Sequence, residues 1–98
     1  MARVIWAPRA FADLEALLDY IGRDAPASAR RFGEKILARI ESLADFPDSG
    51  SFVPEDESQT YREVFQGNYR IIFRGEQNLV VVVAIHHGAR LLDADGLE

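Results

Sequence analysis

Near its end the chain reads His86-His87-Gly88-Ala89-Arg90, and Arg62 and Arg70 stand upstream in two further strand-forming runs. Histidine exchanges a proton near neutral pH, and arginine clamps a phosphate with paired N–H donors. Cleavage of RNA through its own 2′-hydroxyl needs a base, an acid and cations around the phosphorus. Arg62, Arg70, His87 and Arg90 are the residues that would fill those roles. The plainer reading of strand-end His and Arg is a solvent-facing or ion-paired side chain, and the residues by themselves favour it. Successive strand side chains point to opposite faces, so His86 and His87 do not easily chelate one metal. With no HExxH motif and no cysteine, neither a metal site nor a cofactor is expected. Ser49 and Ser51 have no histidine–acid arrangement beside them, which argues against a serine hydrolase.

The elements that must position these residues are legible from hydrophobic spacing. Arg3–Trp6 is a short strand stopped by Pro8, and Pro8 suits the first turn of a helix, where its missing N–H costs nothing. Phe11, Leu14, Leu17, Leu18 and Ile21 recur at helical spacing up to Gly22. Pro26 restarts a second helix with a stripe of Phe32, Ile36, Ile40 and Leu43. A short break between two amphipathic helices makes them an antiparallel hairpin. Ser51–Thr60 reads as a polar, acidic connector. Tyr61–Gln66, Tyr69–Arg74 and Leu79–His87 then read as three strands, the first two joined by the tight Gly67-Asn68 loop.

The expected fold is therefore α+β, in the order β-α-α-β-β-β, as one domain over 1–98. The helical hairpin packs on one face of a small antiparallel sheet. Leu14, Leu18, Ile21, Phe32, Ile36, Ile40, Ile72, Val81 and Val83 are expected in the core, and Trp6 and Phe11 join it or staple the first strand to the first helix. Leu79–Ile85 is apolar at every position, so both faces of that strand must be buried. Two helices cover only one of them. Either the connector or the C-terminal tail covers the second, or another chain does.

Composition narrows the partners. The net charge is −5, which disfavours long-range attraction to nucleic acid, and Glu55, Asp56 and Glu57 concentrate part of the excess in the connector. A broad basic face is excluded, while a small basic site near Arg62, Arg70 and Arg90 is not. The N-terminus has no signal-like apolar stretch and Leu79–Ile85 is too short to span a bilayer, so a cytoplasmic protein is expected.

Several segments in register resemble the RelE/ParE family, the toxins of type II toxin–antitoxin modules. They are Pro8-Arg9-Ala10-Phe11-Ala12-Asp13-Leu14, Ile40-Glu41-Ser42-Leu43 with Pro47 and Gly50, Gly67-Asn68-Tyr69-Arg70-Ile71-Ile72-Phe73-Arg74, and His87-Gly88-Ala89-Arg90. The resemblance implies a hetero-oligomer with a cognate antitoxin and a role of the plasmid-stabilisation kind. For a RelE-like member it implies a ribosome-dependent mRNA endoribonuclease, with Arg62, Arg70, His87 and Arg90 as the catalytic candidates. For a ParE-like member it implies inhibition of DNA gyrase by binding, with Arg70, His87 and Arg90 touching target or partner and no catalytic residue. The Tyr-Arg-Ile-Ile-Phe-Arg strand and the His-Gly-X-Arg ending are more similar to the ParE branch, while Glu63 and the acidic tail without tyrosine depart from the RelE pattern. An inert relative that only binds an antitoxin is the third reading.

Overall fold

The computed structural model describes all 98 residues. Strand β1 (Arg3–Trp6) leads into helix α1 (Pro8–Gly22) and helix α2 (Pro26–Ser42), each with proline in its first turn. Strands β2 (Ser51–Phe52), β3 (Arg62–Gln66), β4 (Tyr69–Glu76) and β5 (Leu79–His87) follow, and a single 3₁₀ turn at Ala94–Gly96 lies in the tail. The sheet order is β1-β5-β4-β3-β2. Two details differ from expectation. The connector contributes the two-residue edge strand β2, and β1 pairs with β5 in parallel, so the sheet is mixed. The parallel pairing arises because the helical hairpin carries the chain back across the sheet before β5 is laid down beside β1. No helix is long and apolar enough to cross a membrane.

Gly67, at φ 59°, occupies the first central position of the β3–β4 turn, where L side chains are strained. That two-residue loop fixes the register Gln66↔Tyr69, Phe65↔Arg70, Val64↔Ile71 and Glu63↔Ile72. On β5 the partners are Tyr69↔His87, Arg70↔His86, Ile71↔Ile85 and Ile72↔Ala84, after which Phe73 pairs with Val82. Val83 is thus an extra, bulged residue.

The sheet has a core on each face. Ala10, Leu14 and Leu17 of α1 and Ile36, Ile40 and Leu43 near α2 pack on Val64, Ile71, Phe73, Val80, Val82 and Ile85. Leu18, Ile21, Phe32 and Trp6 are only partly buried at its margin. Phe11, expected inside or as a staple, is 56% exposed, because Ala10 takes the inward position on that turn. On the far face Ile72, Val81, Val83 and Ala84 pack with Val53 of the connector and Leu92 and Leu97 of the tail. Ile72, Val81 and Val83 are therefore core residues, but on the side away from the helices. The bulge explains why Val83 and Ala84, neighbours in sequence, both face that side. The connector and the tail of the same chain cover the second face of β5.

The tail is held down by polar contacts as well. Arg74 Nε donates to Glu98 Oε1 at 2.6 Å, and the Tyr61 hydroxyl donates to the same oxygen at 2.9 Å. Arg9 Nη1 donates to the Gly96 carbonyl at 3.1 Å. The Arg74 guanidinium holds the Glu98 carboxyl below its ordinary range, and the Tyr61 bond adds to this.

Candidate functional site

Arg70 does not face solvent. It is 4% exposed, and its guanidinium is held from three sides. Nη1 donates to Glu55 Oε1 at 2.8 Å and to Glu63 Oε1 at 3.1 Å, while Nη2 donates to Glu55 Oε2 at 2.9 Å and to the Arg90 carbonyl at 2.9 Å. Glu55 Oε2 also accepts the Leu92 N–H at 3.0 Å. This network ties the connector, the middle of the sheet and the start of the tail to one cation. The hydrogen bond from Arg70 is the main reason the Glu55 carboxyl is lowered to about 2, with Leu92 N–H assisting against the cost of burial. The same bond from Glu55 is the largest factor raising Arg70 above its ordinary value. Nε of Arg70 is buried without a partner, so the guanidinium is fully desolvated on that side as well.

The acidic connector is consequently not a solvated charge cluster. Glu55 pairs with Arg70, and the Asp56 carboxylate accepts the Ser58, Thr60 and Tyr61 N–H groups and the Ser58 hydroxyl, which closes its own turn. Glu63, at 6% exposure, is buried against Arg70 rather than displayed on the strand.

Because Tyr69 pairs with His87 and Arg70 with His86, Arg70 and His87 project from opposite faces of the sheet. His87 lies on the helix side, its ring 5.2 Å from Tyr69 in an edge-on arrangement, with Phe32 5.6 Å beyond. Its Nδ1 accepts the Ala89 N–H at 3.1 Å. His86 lies on the Arg70 side, with Nε2 3.2 Å from the Arg90 carbonyl. Arg62 stands three register steps from the Phe65↔Arg70 pair, ~10 Å along the strand. Its guanidinium lies 4.4 Å over the Phe52 ring and donates to the Asp48 carbonyl at 3.1 Å. The four catalytic candidates therefore do not converge. His87 and Arg90 line one cavity, and Arg90 and the carboxylate-bound Arg70 line another on the opposite side, so Arg90 is the hinge between the two.

Gly88 makes the turn between them feasible. A Cβ there would meet the Asn68 carbonyl oxygen and the Phe65 ring at 3.0 Å each, and the Gly88 N–H donates to that same carbonyl at 2.7 Å. The Arg90 side chain emerges from this turn exposed and without an ion-pair partner. It lines a cleft of about 540 Å³ between α1 and the end of β5, together with Asp13, Tyr20, Tyr69 and His87. Asp13 was not singled out from the sequence. Its Oδ2 accepts the Ile85 N–H at 2.9 Å, where β1 has ended and left the edge of β5 unpaired. A carboxylate on the inner flank of the first helix, level with the unpaired half of the last strand, is a signal that only the parallel β1–β5 register reveals.

A helical hairpin on one face of a five-stranded, mostly antiparallel sheet is the architecture of a RelE/ParE-class toxin. The comparisons with known proteins agree. Residues 4–92 match the family model described as the ParE toxin of the type II toxin–antitoxin system parDE. The chain is 39% identical over 92 residues to Toxin RelE2 of Caulobacter vibrioides, which covers 93% of this chain and 100% of that protein. The solved chromosomal ParDE toxin–antitoxin system from P. aeruginosa has a chain of similar fold, with a TM-score of 0.75 at 21% identity, covering 89% of this chain and 96% of that one. The chain belongs to the ParE toxin family of type II toxin–antitoxin systems.

Proposed function

We propose that this toxin is ParE-like in action: it inhibits DNA gyrase by binding in the cytoplasm, forms no covalent intermediate, and is neutralised by a cognate antitoxin. The observation that carries this reading is the burial of Arg70 between Glu55 and Glu63. A ribonuclease of this fold needs cations converging on a scissile phosphate. Here Arg70 is spent on carboxylates, Arg62 lies elsewhere, and Arg90 and His87 are left as the accessible pair. A net charge of −5 supports a protein target over an RNA one. Arg70 then serves as a positioning residue, holding the Arg90 carbonyl from beneath, while His87 and Arg90 reach the target or partner.

Purified gyrase should lose supercoiling activity when the chain is added, and induction in cells should arrest replication and trigger the DNA-damage response. Co-expression of the adjacent reading frame should restore growth. The relative named Toxin RelE2 keeps the mRNA endoribonuclease reading as the opposing outcome. Codon-positioned mRNA cuts within minutes of induction, with supercoiling unchanged, would decide for it. Harmless induction, with a neighbour-encoded protein still co-purifying, would identify an inert antitoxin-binding relative.

A further inference from the structure

The α1–β5 cleft presents donors with nothing in the chain to receive them. Ala89 N–H donates to His87 Nδ1, and a backbone N–H has no other role, so the neutral ring must carry its proton on Nε2. That Nε2–H makes no hydrogen bond within the chain. The Arg90 guanidinium, exposed on the same wall, has no carboxylate either. The Arg90 backbone is fixed by the bond from Arg70 Nη2 to its carbonyl at 2.9 Å, which roots the side chain at this end of the cleft. The remaining walls are aromatic and apolar: Tyr69, itself held between Phe32 and His87, and Tyr20, which is 70% exposed. A cavity of about 540 Å³ with mixed walls falls in the range of specific ligand sites.

We propose that this cleft anchors a carboxylate side chain of a partner polypeptide, flanked by an apolar or aromatic residue, with Arg90 and His87 Nε2–H as its donors. Charge selects this occupant. Two donors match one carboxylate in number and in charge-assisted strength. A nucleic-acid strand brings successive phosphates. Beyond these two donors the remaining charged group lining the cleft is the Asp13 carboxylate, held by the Ile85 N–H and by Arg9 at 3.7 Å, which offers a second phosphate no donor. The chain's overall charge acts the same way. The flanking residue packs on Tyr20 and Tyr69, which supply area at little entropic cost. This gives a chemical anchor to the antitoxin binding proposed above and rests on that reading for its biological partner, but not for its test.

The test uses the chain alone with three probes: the peptide acetyl-Leu-Glu-Phe-amide, its Gln counterpart, and a short single-stranded RNA oligonucleotide. Binding is followed by NMR through the His87 ring protons and the backbone amides of Ile85 and His87. The Glu peptide should shift these signals saturably, and the Gln peptide should bind roughly fivefold more weakly. Arg90→Gln should abolish that preference without changing the fold, whereas Arg3→Gln on the exposed start of β1 should leave it intact. Equal binding of the two peptides, no shift with either, or tighter binding of the RNA would overturn the proposal. Because no antitoxin enters the experiment, such a failure leaves the toxin–antitoxin reading standing if the neighbour-encoded protein still neutralises the chain. A positive result with gyrase unaffected would separate the two in the other direction.

Discussion

Arg70→Met is the most informative single perturbation of this fold. The substitution keeps much of the side chain's volume but leaves Glu63, whose side chain is 7% exposed, buried without a cation. It also frees Glu55 and removes the donor to the Arg90 carbonyl. Breaking a buried pair from one side costs ~3–5 kcal/mol, because the surviving charge keeps its desolvation penalty. Against a total stability of ~5–15 kcal/mol for a domain of this size, that is a large fraction. It corresponds to a fall of roughly 15–30 °C in the melting midpoint. Glu55, with 20% of its side chain exposed, can turn to water, so Glu63 dominates the loss. The companion variant is therefore Arg70→Met with Glu63→Leu. Replacing both partners by apolar groups should recover most of the stability, giving a coupling of ~2 kcal/mol or more in a double-mutant cycle. Urea denaturation followed by circular dichroism measures all four corners. If Arg70→Met costs less than ~1 kcal/mol, or if the two substitutions simply add, the network is not the electrostatic support described here.

Acid should loosen the tail before it unfolds the domain. Glu55 is lowered to about 2 from 4.5, so its contribution is complete above about 4.5 and is lost as pH falls towards 2. Glu98 is lowered in the same sense by Arg74, and acts in the same direction. Hydrogen exchange at Leu92 N–H should accelerate through that window in the native chain, and the Glu55→Gln variant should show a flatter profile. Ile36→Ala, at a position with no exposure, should cost ~2–5 kcal/mol in the same urea assay. Leu97→Ala should uncover part of the second face, lower the midpoint and raise binding of a hydrophobic dye, whereas Leu91→Ala, at 90% exposure, should do neither. Gly88→Ala should cost ~1–3 kcal/mol, since the Asn68 carbonyl cannot yield. If the proposed gyrase inhibition holds, its loss should exceed the loss of folded protein, because the displaced turn carries Arg90.

The fold was legible because each element obeys one local rule. Prolines at the first helical turns, stripes at helical spacing and a glycine-led hairpin gave β1 and β5 with the bounds observed, and both helices nearly so. Two things were not legible for a physical reason. The bulge at Val83 depends on how the twisted strand meets its neighbour, and an all-apolar run offers no alternation by which to see it. The two-residue strand β2 is set by tertiary pairing with Arg62 and Glu63 rather than by its own propensity. Half of the Arg70 network was within reach. The Gly67-Asn68 loop fixes Phe65 opposite Arg70, which places Glu63 on the same face, one diagonal step away. Glu55 was not, since its approach depends on a loop path that no periodicity encodes. Strand parity would likewise have separated Arg70 from His87 in advance, had the β4–β5 register been traceable through the turn before Leu79.

Covering of the second sheet face changes where a partner must act. An apolar strand buried on both sides is a reason to expect another chain, yet here Val53, Leu92 and Leu97 of the same chain occupy that side. An antitoxin that used this face would have to displace the tail. That means breaking the Arg74–Glu98 and Tyr61–Glu98 contacts and the Leu92–Glu55 bond while exposing two buried leucines. Each leucine costs ~1.5–3 kcal/mol to return to water, before the polar contacts are counted. A segment that folds on binding must already offset its own ordering. Binding elsewhere avoids the displacement, and the chain leaves Tyr20, Phe11 and Leu37 uncovered on its helical side. The α1–β5 cleft opens on that side through Tyr20, with two unengaged donors at its other wall. The intramolecular tail thus closes the sheet, and the proposed recognition falls to the helix side, where the aromatic surface and the accessible cation lie together.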